Sequence, residues 1–127
     1  MAGTNILIVE DESITAMEIG QILKLNGYNP YTAYSGEDAI KKATQIKPNL
    51  ILMDIKLKGE SDGIKTIEKI NEFLDVPVIY LTALSDKETL KSANLTNPSA
   101  YLFKPFNDDE LLNNIKIAIS KHQESKD

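Results

Sequence analysis

The sequence predicts an α/β fold: a single doubly wound domain in which helices cover both faces of a parallel sheet. Three observations predict it. Short apolar runs alternate along the chain with amphipathic stretches of helical period, the pattern of repeated strand–helix–strand units. The clearest runs, Ile6 to Val9 and Leu50 to Met53, have no polar interruption, as expected of strands buried on both faces. The length, 127 residues, suits one domain, since typical domains hold roughly 100–150 residues.

The elements follow in order. Ile6 to Val9 reads as the first strand. Ser13 to Leu25, rich in Ile, Leu and Met, reads as the first helix, and Gly27 suits the left-handed residue that ends it. Tyr28 to Tyr34 reads as the second strand. Pro30 cannot donate to a ladder, which places this strand at an edge. Ser35 to Lys47 reads as the second helix. It opens on Ser35-Gly36-Glu37-Asp38, similar to a capping box, and carries Ala39, Ile40, Ala43 and Ile46 on one face. Pro48 follows it. Leu50 to Asp54 reads as the third strand and Gly63 to Leu74 as the third helix. Val76 to Thr82 and Asp86 to Leu95 read as the fourth strand and helix. Ala100 to Phe103 reads as the fifth strand. Asn107 caps the last helix, with Glu110 at the capping-box position, and that helix is expected to end near Lys121. One domain over 1–127 is expected, with a core of about 5–121, irregular chain between Ile55 and Asp62, and a polar tail of 122–127.

Composition narrows the function. The chain has 19 acidic and 14 basic residues, all of the latter Lys, for a net charge of -5. That balance argues against a broad basic face for nucleic acid or anionic membrane. No apolar run approaches the roughly 20 residues of a membrane span. The first residues show no signal-peptide pattern, and cytoplasm is the expected compartment. The absence of Cys excludes disulfides and thiolate chemistry. The only histidine, His122, falls in the expected tail, so His-based catalysis and metal binding are disfavoured.

The strand ends carry the chemistry. In an open parallel sheet, ligands bind beyond the C-terminal ends of the strands, where strand order reverses. The first strand ends in Glu10-Asp11-Glu12, the third in Asp54, the fourth in Thr82 and the fifth in Lys104-Pro105. Adjacent carboxylates repel, and burial raises their pKa values. A divalent cation compensates both, and an oxygen-only donor set favours Mg²⁺ or a similar hard ion such as Mn²⁺. Glu10, Asp11 and Asp54 with Lys104 leave a local charge of about -2, which one such ion neutralises. The plainer alternative is that the acids are solvated N-caps, with Asp11 or Glu12 capping the first helix. The complete set of strand ends weighs against it.

The chain resembles the receiver domain of two-component response regulators. The resemblance rests on Ile6-Leu7-Ile8-Val9-Glu10-Asp11, Leu52-Met53-Asp54, Asp62-Gly63, Pro77 to Ala83 and Tyr101-Leu102-Phe103-Lys104-Pro105-Phe106, and it covers about the whole chain. It implies a flavodoxin-like (βα)5 fold with sheet order 2-1-3-4-5, in agreement with Pro30 at an edge. It also implies that Asp54 is the phosphoacceptor. Mg²⁺ would be held by Asp11, Asp54, the backbone carbonyl of Lys56 and, through water, Glu10. Thr82 would hydrogen-bond the phosphoryl group and Lys104 pair with it. Tyr101 would be an aromatic switch rotating inward behind Thr82, against the alternative that it merely packs on its strand. Lys104-Pro105 would be a cis peptide. Such a domain catalyses only its own phosphotransfer and autodephosphorylation. The backbone between the fourth strand and fourth helix would move with Thr82.

Two departures stand out. Ile55 to Ser61 is one residue longer than is usual before Asp-Gly and lacks a Met-Pro pair. Glu10 replaces the commoner Asp. Rival families fit less well. A flavodoxin needs a Ser/Thr/Gly-rich phosphate loop where Glu10-Asp11-Glu12-Ser13 stands. Haloacid-dehalogenase-type phosphatases and Toprim-like nucleases need a second Asp where Lys56 stands. A receiver-shaped interaction module that is never phosphorylated is the remaining alternative, and the set Asp11, Asp54, Thr82 and Lys104 argues against it.

A sensor histidine kinase is the implied phosphoryl donor. A downstream protein or fused output domain is the implied target, through the face of the fourth helix, fifth strand and fifth helix. A phosphorylation-dependent dimer is compatible with the resemblance; direct nucleic-acid or membrane binding is not expected. In the fifth helix Leu111, Leu112, Ile115, Ala118 and Ile119 form one stripe. Ile117 falls opposite them, an ordinary exposed Ile or, as the alternative, an anchor for association.

Overall fold

A computed structural model describes residues 3–57, 62–83 and 87–125. Five strands alternate with five helices: β1 (Asn5–Val9), α1 (Ser13–Leu25), β2 (Asn29–Ala33), α2 (Gly36–Ile46), β3 (Leu50–Asp54), α3 (Gly63–Asn71), β4 (Val78–Ala83), α4 (Lys87–Asn94), β5 (Ala100–Lys104) and α5 (Asp108–Ser125). The strands form one sheet of order β2-β1-β3-β4-β5, and every pairing is parallel. This is the doubly wound, flavodoxin-like arrangement, with β2 at an edge. Strand order reverses between β1 and β3, so the expected ligand rim lies past Val9 and Asp54.

Strand alternation sorts the core into two halves. Leu7, Val9, Ile51 and Met53 face Ala39, Ala43, Ile64, Ile67, Ile70 and Ala93. Thus α2, α3 and α4 cover that face. Ile6, Ile8, Leu50 and Leu52 face Ile19, Leu23, Leu111, Ile115 and Ala118, so α1 and α5 cover the other. The inner strands are apolar along most of their length because both of their faces are buried, with Asn5, Asp54 and Thr82 at or near their ends. The edge strand β2 alternates instead, exposed and half-buried up to buried Ala33. Lys42 of α2 reaches over this edge and donates to the Thr32 carbonyl.

The expected caps form. Ser35 Oγ accepts from the Asp38 amide at 3.1 Å, and Asn107 Oδ1 accepts from the Glu110 amide at 2.8 Å. Gly27 takes a positive φ of 88° after α1. The α5 stripe packs as expected, and Ile117 is 53% exposed. Other boundaries shift for physical reasons. Strand β4 starts at Val78 rather than Val76, because Pro77 has no N–H and contributes only its carbonyl, which accepts from Ile51. Helix α3 stops at Asn71 rather than Leu74, its end closed by Glu72 and Phe73 amides bonding three residues back. Helix α5 continues to Ser125, past the expected end near Lys121. His122 is therefore helical, its side chain 20% exposed and its Nε2 3.7 Å from Asp75 Oδ2. The tail reading missed this because nothing in 121–125 breaks a helix, and His122 has a tertiary surface to pack on. Among the described residues no helix is long and apolar enough to cross a membrane.

Candidate functional site

Each candidate side chain is held by the end of a strand. Glu10 follows β1 directly and is fully buried. Its amide donates to the Ala33 carbonyl at 3.0 Å, which extends the β1–β2 ladder one step. Its carboxylate Oε2 accepts from the Glu12 amide at 3.1 Å. Glu12 is the N-cap residue of α1 by position, with no side-chain capping bond. Asp11 is half-buried. Asp54, the last residue of β3, is 5% exposed, and its Oδ1 accepts from the Lys56 amide at 3.1 Å. Thr82 lies near the end of β4, 4% exposed, and donates a long 3.4 Å bond to the Ala83 carbonyl. Lys104 ends β5 opposite Ala83 and reaches across the rim to Asp54 Oδ2 at 3.3 Å and Glu10 Oε1 at 3.7 Å. The peptide bond after it, to Pro105, is cis.

Carboxylate oxygens of Glu10, Asp11 and Asp54 all lie within 4.8 Å of one another. That spacing brings three acids to one point, where an ion can hold them. Burial pushes the Glu10 carboxyl up to about 7, with the nearby Asp54 charge acting in the same direction and the Glu12 amide against it. Glu10 Oε1 is buried with no hydrogen-bond partner, since Lys104 at 3.7 Å is beyond hydrogen-bonding range. A buried acceptor without a partner costs free energy. An orphaned carboxylate oxygen beside two further carboxylates is a donor set that fits a hard divalent cation. The capping alternative loses ground for Glu12, which stands at the N-cap of α1 and makes no side-chain capping bond.

One residue that sequence reading left without a reason is Gly63, which opens α3. A Cβ at this position would lie 2.4 Å from the Asp54 carbonyl oxygen and 3.0 Å from Ile55 Cα. Its amide also donates to the Ile55 carbonyl at 2.9 Å. The first turn of α3 thus leans directly on the backbone that carries Asp54. The Asp62-Gly63 pair was visible, but the contact that demands glycine was not.

Tyr101 is half-buried. Its ring stacks on Tyr80 at 6.0 Å between centroids and on Phe103 at 6.4 Å. Its hydroxyl lies 3.4 Å from the Leu90 carbonyl and from Asn94 Oδ1. The longer loop of Ile55 to Ser61 is described only as far as Leu57; residues 58–61 lie outside the described residues, as do 84–86 between β4 and α4. Concavities of about 370 and 380 Å³ sit near Ser99, His122 and Ser125, at the opposite end of the strands from the acidic rim.

Comparison with known proteins agrees with this geometry. The family model for the response regulator receiver domain matches residues 6–116. The transcriptional regulatory protein PdtaR of Mycobacterium tuberculosis is 33% identical over 120 residues, covering 94% of this chain and 58% of that protein. The chain spans little more than half the length of the curated relatives it matches. Among solved structures, the signal receiver domain of a modulated diguanylate cyclase from Desulfovibrio desulfuricans G20 superposes with a TM-score of 0.88 at 34% identity, covering 95% of this chain and 97% of that one. A CheY-like receiver domain protein from Methanospirillum hungatei JF-1 does so with a TM-score of 0.90 at 28% identity, covering 96% and 98%. With the fold, the strand-end residues and these relatives in agreement, the chain belongs to the response regulator receiver domain family of two-component signalling.

Proposed function

We propose that the chain is a phosphoacceptor switch that takes a phosphoryl group onto Asp54 from a phosphohistidine of a sensor kinase. The observation that carries this reading is the meeting of Asp54, Glu10 and Asp11 with Lys104 at one rim. An Asp54 carboxylate oxygen attacks phosphorus in line. The P–N bond of the donor breaks, its electron pair stays on the imidazole nitrogen, and an acyl phosphate forms. The Lys56 amide at 3.1 Å holds Asp54 Oδ1, and Lys104 supplies fixed positive charge to the transferring oxygens. Thr82 offers its hydroxyl to the phosphoryl group. Glu10, Asp11, Asp54 and the Lys56 carbonyl would hold a Mg²⁺ or Mn²⁺ ion. Such an ion supplies charge neutralisation for phosphoryl transfer.

Phosphorylation replaces a charge of -1 by about -1.5 to -2. Thr82 and Lys104 are drawn to it, and Tyr101 turns inward behind Thr82. Output passes through the face of α4, β5 and α5 to a downstream protein, a fused domain or a second copy. An interaction module that is never phosphorylated would leave the buried carboxylate of Glu10 without purpose.

The test is mass spectrometry after incubation with Mg²⁺ and acetyl phosphate or phosphoramidate. A gain of one phosphoryl group is expected, lost in Asp54→Ala and in excess chelator. No gain with any donor would sink the phosphoacceptor reading.

A further inference from the structure

Helix α4 has little apolar anchorage. Ala93 is its buried residue, with Leu90 packed only in part. What holds its C-terminal end is polar. Tyr80, in the middle of β4, is fully buried, and its hydroxyl lies 2.7 Å from Thr96 Oγ1. Thr96 Oγ1 in turn donates to the Ala93 carbonyl at 2.6 Å. A hydroxyl has one proton to give, so Thr96 spends its own on α4 and Tyr80 must be the donor to Thr96. Asn71, at the end of α3, adds a longer 3.4 Å bond to the Thr96 carbonyl. By contrast, the Tyr101 hydroxyl reaches α4 at 3.4 Å. The tight attachment therefore comes from Tyr80 and the loose one from Tyr101.

Tyr80 and Thr82 are two apart on one strand, so their side chains point to the same face of the sheet. The Tyr80 ring also stacks on Tyr101. A Phe would fill the same space and keep that stack, so the hydroxyl is what packing leaves unexplained. Burial holds it protonated, its pKa pushed up to about 12, so it remains a donor across the neutral range.

We propose that Tyr80 is a positioning residue of the switch: acting through Thr96, its hydroxyl pins the C-terminal end of α4 to the centre of the sheet, so that rearrangement driven from Thr82 swings the N-terminal end of α4 about that pin. The swing rests on Asp54 being the phosphoacceptor; the pin does not.

The experiment uses Tyr80→Phe and Thr96→Val, each close in shape to the original. Amide hydrogen exchange is followed by NMR with and without Mg²⁺ and beryllofluoride, a phosphoryl mimic. Without the mimic, both variants should raise exchange across Ala93 to Asn97 by about tenfold, while Ile79 and Leu81 in β4 keep their rates. With the mimic, wild-type shift changes should fall off from Lys87 toward Ala93, and in the variants they should extend through Thr96. An unchanged exchange rate at Ala93 to Asn97, or a rise of equal size throughout β4, would overturn the pin in favour of core packing alone. Wild-type shifts as large at Thr96 as at Lys87 would overturn the pivot. No response to the mimic anywhere, together with no mass gain, would count against Asp54 as phosphoacceptor, and the exchange data would still decide the pin.

Discussion

Glu10 is a liability to the fold on its own, and the proposed metal ion would offset it. Its carboxylate is fully buried, and one oxygen has no hydrogen-bond partner and only a 3.7 Å ion pair to Lys104. Glu10→Gln removes the buried charge and keeps an acceptor for the Glu12 amide. In chelator at pH 8, thermal or urea unfolding should find this variant more stable than wild type by about 1–3 kcal/mol. Calorimetric titration with Mg²⁺ should find it binding more weakly. A variant less stable without metal would show that the carboxylate is satisfied in some other way. Gly63 makes the opposite point, that an absent atom can be the requirement. In an ordinary helix Gly→Ala stabilises by about 1 kcal/mol. At Gly63 the new Cβ meets the Asp54 carbonyl at 2.4 Å, and backbone has nowhere to go. Gly63→Ala should instead cost about 1–3 kcal/mol in urea unfolding and slow phosphorylation of Asp54 by acetyl phosphate. Unchanged stability and rate would mean that α3 shifts freely.

At the scale of the element, β4 carries both a buried anchor and a proposed site residue. It holds the buried Tyr80 and the candidate Thr82 and pairs with β3 and β5. Burial raises the Tyr80 phenol from its ordinary 10 to about 12. The folded state therefore keeps a proton that the unfolded chain gives up. The stability this contributes is fully present below pH 10 and is lost as pH rises through about 12. Between those limits wild type should lose about 2–3 kcal/mol more than Tyr80→Phe. Urea unfolding at a series of alkaline pH values measures that difference, and parallel curves would mean that Tyr80 ionises freely in the fold. The same strand shows why element ends were hard to read. Val76 and Pro77 continue its apolar run in sequence, yet the ladder begins at Val78 because proline has no N–H to pair.

The whole molecule brings five strand ends to one rim, and its charge is read best there. The net charge of -5 argues against broad electrostatic attraction to nucleic acid, while three of the acids meet at one rim. A ligand that binds only the folded state stabilises it by mass action, by about 2.7 kcal/mol at a hundred times its Kd. Mg²⁺ at such excess should raise the wild-type melting temperature and leave Asp11→Ala with Asp54→Ala unmoved. An equal rise in both proteins would point to nonspecific screening instead.

Periodicity and chain chemistry alone determined the alternation of strands and helices, the edge position of the Pro30 strand, the Ser35 and Asn107 caps, and the acids and Lys104 at strand ends. These were legible because each depends on residues near one another in the chain: a run, a missing N–H, a side chain bonding three positions on. The full strand order followed only from likeness to a family, because hydrophobic pattern does not say which strands are neighbours. Tertiary structure decided the rest. It buried Glu10 Oε1 without a hydrogen-bond partner, and it set Lys104 3.3 Å from an acid fifty positions away, Gly63 against the Asp54 backbone, His122 beside Asp75 and Tyr80 on Thr96. All of these depend on how separate elements meet. Their distances depend on how helices lie across the sheet, which is fixed by packing of the whole core and written in no local stretch of sequence.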